Sequence, residues 1–315
     1  MLLRETFDYK LSFKYTGKYL FQYLILSVLV AGIYYFTNLK WLQIPFLPIG
    51  MLGTAVAFFV GFKNNSAYDR HWEARKLWGG FTNVSRNIAL QIFNYLNDRH
   101  QVSAQAEIDL LKEKTKILYR QIAYIHCVRM NLRETMNIEE LQSLLSSEEF
   151  EELKSKNNKP NFILQKQSEH LEYLAKNKSL EHFFHIELMQ SIKELLDIQG
   201  GCERIKNTPF PRQYANYSRL FTKLFCFILP FGISTEFIKT FGIEMVWLAI
   251  PFSAIICWIF MAMEIIGSNT EKPFANIAAS VNINTISRNI ERDIREILGE
   301  KDLPPALVPI NYISM

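Results

Sequence analysis

The chain has 315 residues, 49% of them hydrophobic, and 35 Lys and Arg against 31 Asp and Glu give a formal charge of +4. That length allows roughly two domains, and with a charge this small no nucleic-acid partner is expected. Four cysteines, Cys127, Cys202, Cys226 and Cys257, lack CxxC spacing, and two fall in apolar segments; this reads as a reduced, buried set rather than a disulfide frame or a zinc site, with no cofactor or metal expected.

The averages conceal a segregation. Apolar residues concentrate near both ends, while the stretch from Lys63 to about Arg212 is charged and helical in pattern. Residues 1–18, with Lys10, Lys14 and Lys18, precede two charge-free stretches, Tyr19 to Leu39 and Trp41 to Phe62, separated only by Lys40. A helix rises about 1.5 Å per residue and the hydrocarbon core is about 30 Å thick, so each stretch is long enough to span. Residues 19–62 therefore predict a transmembrane hairpin, and the first stretch is too long, and too closely followed by the second, for a cleaved signal. Lys63, Arg70, Arg75 and Lys76 follow the hairpin. With cations on both flanks, the positive-inside tendency puts both flanks in the cytoplasm.

Residues 63–218 are expected to form a cytosolic helical region. From Asn64 to Asp98, Tyr68, Trp72, Leu77, Trp78, Phe81, Ile88, Ile92 and Phe93 recur at helical spacing, predicting one long helix continuing the second span, or two joined near Gly79-Gly80. Further helices are predicted at about 105–132, 138–155, 160–176 and 180–206, with a loop at Lys156 to Pro160. No useful β-alternation occurs. A second hairpin, 219–267, holds spans at about Leu220 to Ile238 and Met245 to Gly267. Pro230 and Gly232 should bend or break the third span, which membrane helices tolerate when neighbours re-satisfy the freed backbone. Four spans return both termini to the cytoplasm, the last being residues 268–315, whose end, with Pro304, Pro305 and Pro309, should lie extended on another surface. The fold class expected is all-α, a four-span membrane protein with a large helical cytosolic region.

In the second span Thr54, Phe58 and Phe62 are spaced i, i+4, i+8 and form a line along one helix face. Gly50, Ala57 and Gly61 form a neighbouring stripe of small residues suited to close packing with other helices or with copies of itself. The phenyl pair either faces lipid or core, or rings a central pore that gates by dewetting. Phenyl edges are partly positive and faces partly negative, so such a ring suits anions edge-on or cations face-on.

The run Gly61-Phe62-Lys63-Asn64-Asn65-Ser66-Ala67-Tyr68-Asp69-Arg70-His71-Trp72-Glu73-Ala74-Arg75-Lys76-Leu77-Trp78-Gly79 begins where the membrane ends. It resembles the signature after the pore helix of bacterial members of the bestrophin channel family. Three further blocks agree in order: Gln199 to Ile205 with Thr208-Pro209-Phe210-Pro211 and Tyr214; Leu229-Pro230-Phe231-Gly232; and Glu264-Ile265-Ile266-Gly267 with Glu271, Pro273-Phe274 and Ile290 to Asp293. The resemblance covers most of the chain and is weakest from about 100 to 190. It implies a homopentamer in the lipid bilayer of a bacterial inner membrane, with one axial pore for monovalent anions such as chloride. By position the pore neck would be Thr54, Phe58 and Phe62, and a cytosolic constriction would come from Ile205, Thr208 or Phe210. Lys63 and Arg70 would raise the anion concentration at the inner mouth. Some bacterial relatives pass cations instead, so a sodium channel of the same fold is the alternative. Animal members carry an acidic calcium site after the Pro-Phe pair; here Ala275, Asn276, Ile277, Ala278, Ala279 and Ser280 offer few carboxylate oxygens, and no calcium gating of that type is expected.

Rival readings are weaker. Glu181, His182, His185 and Glu187 place ligand types on adjoining helix faces but no matching half appears, and there is neither a phosphate-binding loop nor a nucleophile elbow, so no enzyme is expected. Phe183 and Phe184 suggest packing there. Glu264 is expected to pair with a basic neighbour. A scaffold that binds a cytosolic partner is compatible with the composition, and a transporter would show more spans and internal repeats.

Overall fold

The computed structural model describes residues 9–37, 42–96, 104–177 and 179–309. Nine α-helices follow in order among them: α1 Tyr9–Thr37, α2 Phe46–Tyr95, α3 Ala104–Arg133, α4 Ser147–Lys154, α5 Lys159–Lys176, α6 His182–Asn207, α7 Arg212–Phe241, α8 Ala249–Thr270 and α9 Ile283–Ile297. Short 3-10 turns occupy Ile138–Leu141 and Ile243–Leu248, and no strand occurs among the described residues. Four segments are long and apolar enough to cross a membrane: Tyr15–Thr37, part of Phe46–Tyr95, Arg212–Phe241 and Ile243–Thr270. Lys40, Trp41 and Asp98 lie outside the described residues.

The chain divides into two compact units. One comprises the segment before Trp72 together with Pro209–Lys272; the other comprises Trp72–Thr208 and the segment from Pro273 on. In the first, α1, α7 and α8 pack around Ile49, Val56, Val60, Phe225, Leu229, Ile233 and Met261. Pro230 lies inside α7, yet the helix runs through it unbroken. A proline lacks the N–H that would bond the carbonyl four residues earlier, here that of Cys226. The Cys257 thiol of α8 donates to that carbonyl at 3.3 Å, and the Cys226 thiol donates to the Cys257 carbonyl at 3.6 Å. The neighbouring helix thus supplies a donor for the freed carbonyl, in keeping with the tolerance of membrane helices for proline.

The second unit is a helical bundle around Trp78, Phe81, Ile88, Ile92, Ile117, Leu118, Tyr124 and Leu195. Against it α9 lays Ile283, Ile286, Ile290 and Ile294, one face of a helix whose other face carries Arg288, Arg292 and Arg295. The single helix expected over 138–155 is divided. Ser146 caps α4 by accepting the Glu149 N–H at 3.3 Å, so the chain starts afresh there. Gly79-Gly80 forms no joint in α2. A side chain at Gly80 would meet Ile198 of α6 at 3.0 Å and one at Gly201 would meet Leu77 at 3.1 Å, so the two glycines let α2 and α6 approach closely. All four cysteines are free and buried.

Candidate functional site

The site grows from the periodicity of α2. Ile49, Gly53, Val56, Val60, Lys63 and Ala67 succeed one another at steps of four, three, four, three and four residues, and all are buried. That spacing keeps one seam of a helix facing its partners. Gly53 admits the ring of Phe225, which would stand 2.9 Å from a side chain there. The opposite side carries Thr54, Phe58 and Phe62, all exposed, with Phe58 64% and Phe62 51% accessible. The two phenyl rings meet edge to face, centroids 4.4 Å apart at 76°, so each presents an edge as well as a face. The Thr54 hydroxyl donates to the Gly50 carbonyl at 3.1 Å and leaves its oxygen open on the same line.

Lys63 departs from its expected place at an open mouth. It is 2% exposed, its ammonium bound to the Glu264 carboxylate of α8, itself 1% exposed, and it donates to the Ser268 hydroxyl at 2.8 Å. Ser218 donates to the other Glu264 oxygen at 3.3 Å, and the Arg219 guanidinium stands 3.6 Å from the first while donating to Ser268 at 3.1 Å. Glu264 has thus found the basic neighbour expected of it, and Lys63 is paired, with Arg219 a second cation beside the same carboxylate. One residue on, the Asn64 amide is buried without a hydrogen-bond partner and lies against Gly267, where any side chain would collide with it. Arg70, half-buried, donates through Nε to the Glu271 carbonyl at 3.0 Å.

The three alternatives for the constriction each have their own setting. Ile205 is 4% exposed in the bundle core, Thr208 is exposed just past the end of α6, and Phe210 stands edge-on to Tyr214 at 5.5 Å in the first unit. No grouping of three or more His, Cys, Asp or Glu able to hold a metal occurs among the described residues. Phe184 stacks on Tyr95 at 4.0 Å, whereas Phe183 is 80% exposed, so only one of the phenylalanines beside His182 and His185 packs.

Sequence reasoning missed the arginine that holds the segment after Pro273-Phe274. Arg133, 8% exposed, donates to the Asn276 side chain at 2.6 Å and to the Val281 carbonyl at 3.3 Å. Burial and the charge of Arg129 push its pKa down to about 10, still cationic at neutral pH. No local pattern announces this contact, since its partners lie 143 and 148 residues apart.

Residues 17–296 match the family described as Bacterial/Fungal Bestrophin protein. The chain is 31% identical over 270 residues, 84% of its own length and 83% of the relative's, to the voltage-dependent anion channel-forming protein RSc3414 of Ralstonia nicotianae. It is 27% identical over 302 residues, covering 96% of this chain and 92% of the other, to the voltage-dependent anion channel-forming protein YneE of Escherichia coli K12. In fold it is similar to a bacterial bestrophin homologue from Klebsiella pneumoniae solved by crystallography, with a TM-score of 0.81 at 24% identity, covering 91% of this chain and 99% of that one.

Proposed function

The chain belongs to the bacterial and fungal bestrophin family, and from that premise we propose that it is a homopentameric channel of the bacterial inner membrane passing monovalent anions, chloride among them, passively down their gradient. The single observation that carries this reading is the two-sidedness of α2: a sealed seam on one side and an open line of Thr54, Phe58 and Phe62 on the other. Five copies turning that line inward enclose a neck of phenyl rings. A narrow apolar ring excludes water until it widens, and phenyl edges suit an anion that has shed part of its hydration. Residues 19–62 and 219–267 would form the membrane part, with 1–18, 63–218 and 268–315 in the cytoplasm. The names of the relatives, anion channel-forming proteins, support the same choice of ion.

No calcium site of the animal type is proposed. Ala275 to Ser280 hold no carboxylate, and Arg133 already places a cation on the oxygens of Asn276 and Val281. No enzymatic step is assigned to the chain. A second reading, a monovalent cation channel of the same fold, is favoured by one observation: Lys63 is buried and paired with Glu264, so that lysine is not open to attract an anion.

The reversal potential of the purified protein in planar bilayers under a sodium chloride gradient decides between them. A value near the chloride equilibrium potential is expected, a value near that of sodium overturns the anion reading, and added calcium should leave the current unchanged. Phe58→Ala should wet the neck and raise the mean current severalfold; unchanged current in that variant would remove the neck assignment.

A further inference from the structure

We propose that Glu264 is a positioning residue for the pore: by holding Lys63 it sets the rotation and register of α2, and so decides that Thr54, Phe58 and Phe62 form the open line. This inference rests on the neck reading given above. The seam of α2 is built from Ile49, Val56 and Val60, with Gly53 and Ala67 between and beyond them. Gly53 against Phe225 already favours one register, but an apolar contact that shifts loses only part of its buried area. A charge in such a seam is different. Its burial is tolerable only where an opposite charge and hydrogen bonds meet it, so one polar position fixes the register of the whole contact.

Lys63 occupies that position, three residues past Val60 and one past Phe62. Its nitrogen meets the Glu264 carboxylate and the Ser268 hydroxyl, and the second carboxylate oxygen is occupied by Ser218. A turn of α2 by one residue, about 100°, would take the ammonium from its partner and carry Phe62 off the open line. Close beside it, the bare backbone of Gly267 receives Asn64, a contact that also holds only in one register.

The charges are unequal in number. Lys63 and Arg219 share the one carboxylate, with Arg219 at 3.6 Å and 52% exposed. Removing Glu264 strands two cations, one of them fully buried. Removing Lys63 leaves Arg219 to neutralise Glu264. The two single variants should therefore differ in severity, which a pair of equal partners would not predict.

The test is current through the full-length channel in planar bilayers under sodium chloride, compared at equal amounts of assembled protein. E264Q should raise open probability about tenfold, the factor that 1.4 kcal/mol carries; K63M should raise it less, and E264D, which keeps the charge, should conduct nearly as wild type. E264Q should add little to Phe58→Ala, since both act on one barrier. If Phe58→Ala opens the pore while E264Q and K63M conduct as wild type, the positioning role is overturned and the neck stands. If Phe58→Ala itself changes nothing, the neck reading falls, and this inference with it. Should E264Q fail to assemble, K63M alone decides, since wild-type current in that variant is enough to overturn the proposal. Near-wild-type current in E264D separates positioning from simple loss of packing, because that variant keeps the charge and not the original side-chain length.

Discussion

Glu291 shows how a single carboxylate can tie two helices together. It is 6% exposed, 2.9 Å from His126 Nε2 of α3, and accepts from Arg288 at 2.9 Å and Arg295 at 3.1 Å. Burial pushes its carboxyl up, but the hydrogen bond and charge of His126, with Arg288 and Arg295, outweigh this and hold it below the usual range. A carboxyl depressed in the folded state takes its proton more readily when unfolded. Its contribution is therefore whole above the ordinary value near 4.5 and is lost as pH falls through the lower folded value. Glu291→Gln should cost about 3 kcal/mol at pH 7, the scale of removing one partner from a buried pair. It should also flatten the fall in stability below pH 4.5; thermal melts at pH 7 and pH 4 check both, and a variant as stable as the parent at pH 7 would refute the role. The residue scale also marks where one sequence stops being legible. The common face of Thr54, Phe58 and Phe62 follows from helical spacing alone. The partners of Lys63 and His126 lie 201 and 165 residues away, and nothing local names them.

At the scale of elements, the sequence pattern located the helices up to α8 but not α9, because apolar spacing and caps are local properties. It faltered where a neighbour decides the outcome. Pro230 signals a bend or break in α7, yet the helix runs on, and a thiol on α8 donates to the carbonyl that the proline leaves free. That repair is testable as a cycle. Cys257→Ala leaves the Cys226 carbonyl without a donor and should cost about 1 kcal/mol, the typical worth of a hydrogen bond. Cys257→Ser should cost less. In a Pro230→Ala background, where the backbone N–H returns, Cys257→Ala should lose only its packing. Melting of the four single and double variants in detergent gives the coupling, and additive costs would dismiss the repair. The same limit explains Gly79-Gly80, whose local signature is that of a joint, whereas their neighbours on α6 give Gly80 a packing role.

For the whole molecule, the question is what the open side of α2 meets. One chain carries Phe58 and Phe62 exposed and cannot enclose a pore with one such helix. Closed cyclic assembly answers this with identical contacts repeated around an axis. The native mass in mild detergent, corrected for bound detergent, should be about five times the 36.9 kDa of the chain; a monomer would leave the phenyl line to lipid and end the pore reading. The buried pair at Lys63 also imposes a timetable on synthesis. Glu264 is made 201 residues after Lys63. At about 5–20 residues per second, the lysine waits roughly 10–40 s for its carboxylate. Until then that lysine lacks its carboxylate, and its long stem lets the charge reach water from beside an apolar helix. In a chain with four helices long and apolar enough to cross a membrane, the setting of Lys63 is therefore provisional until the last of them is made.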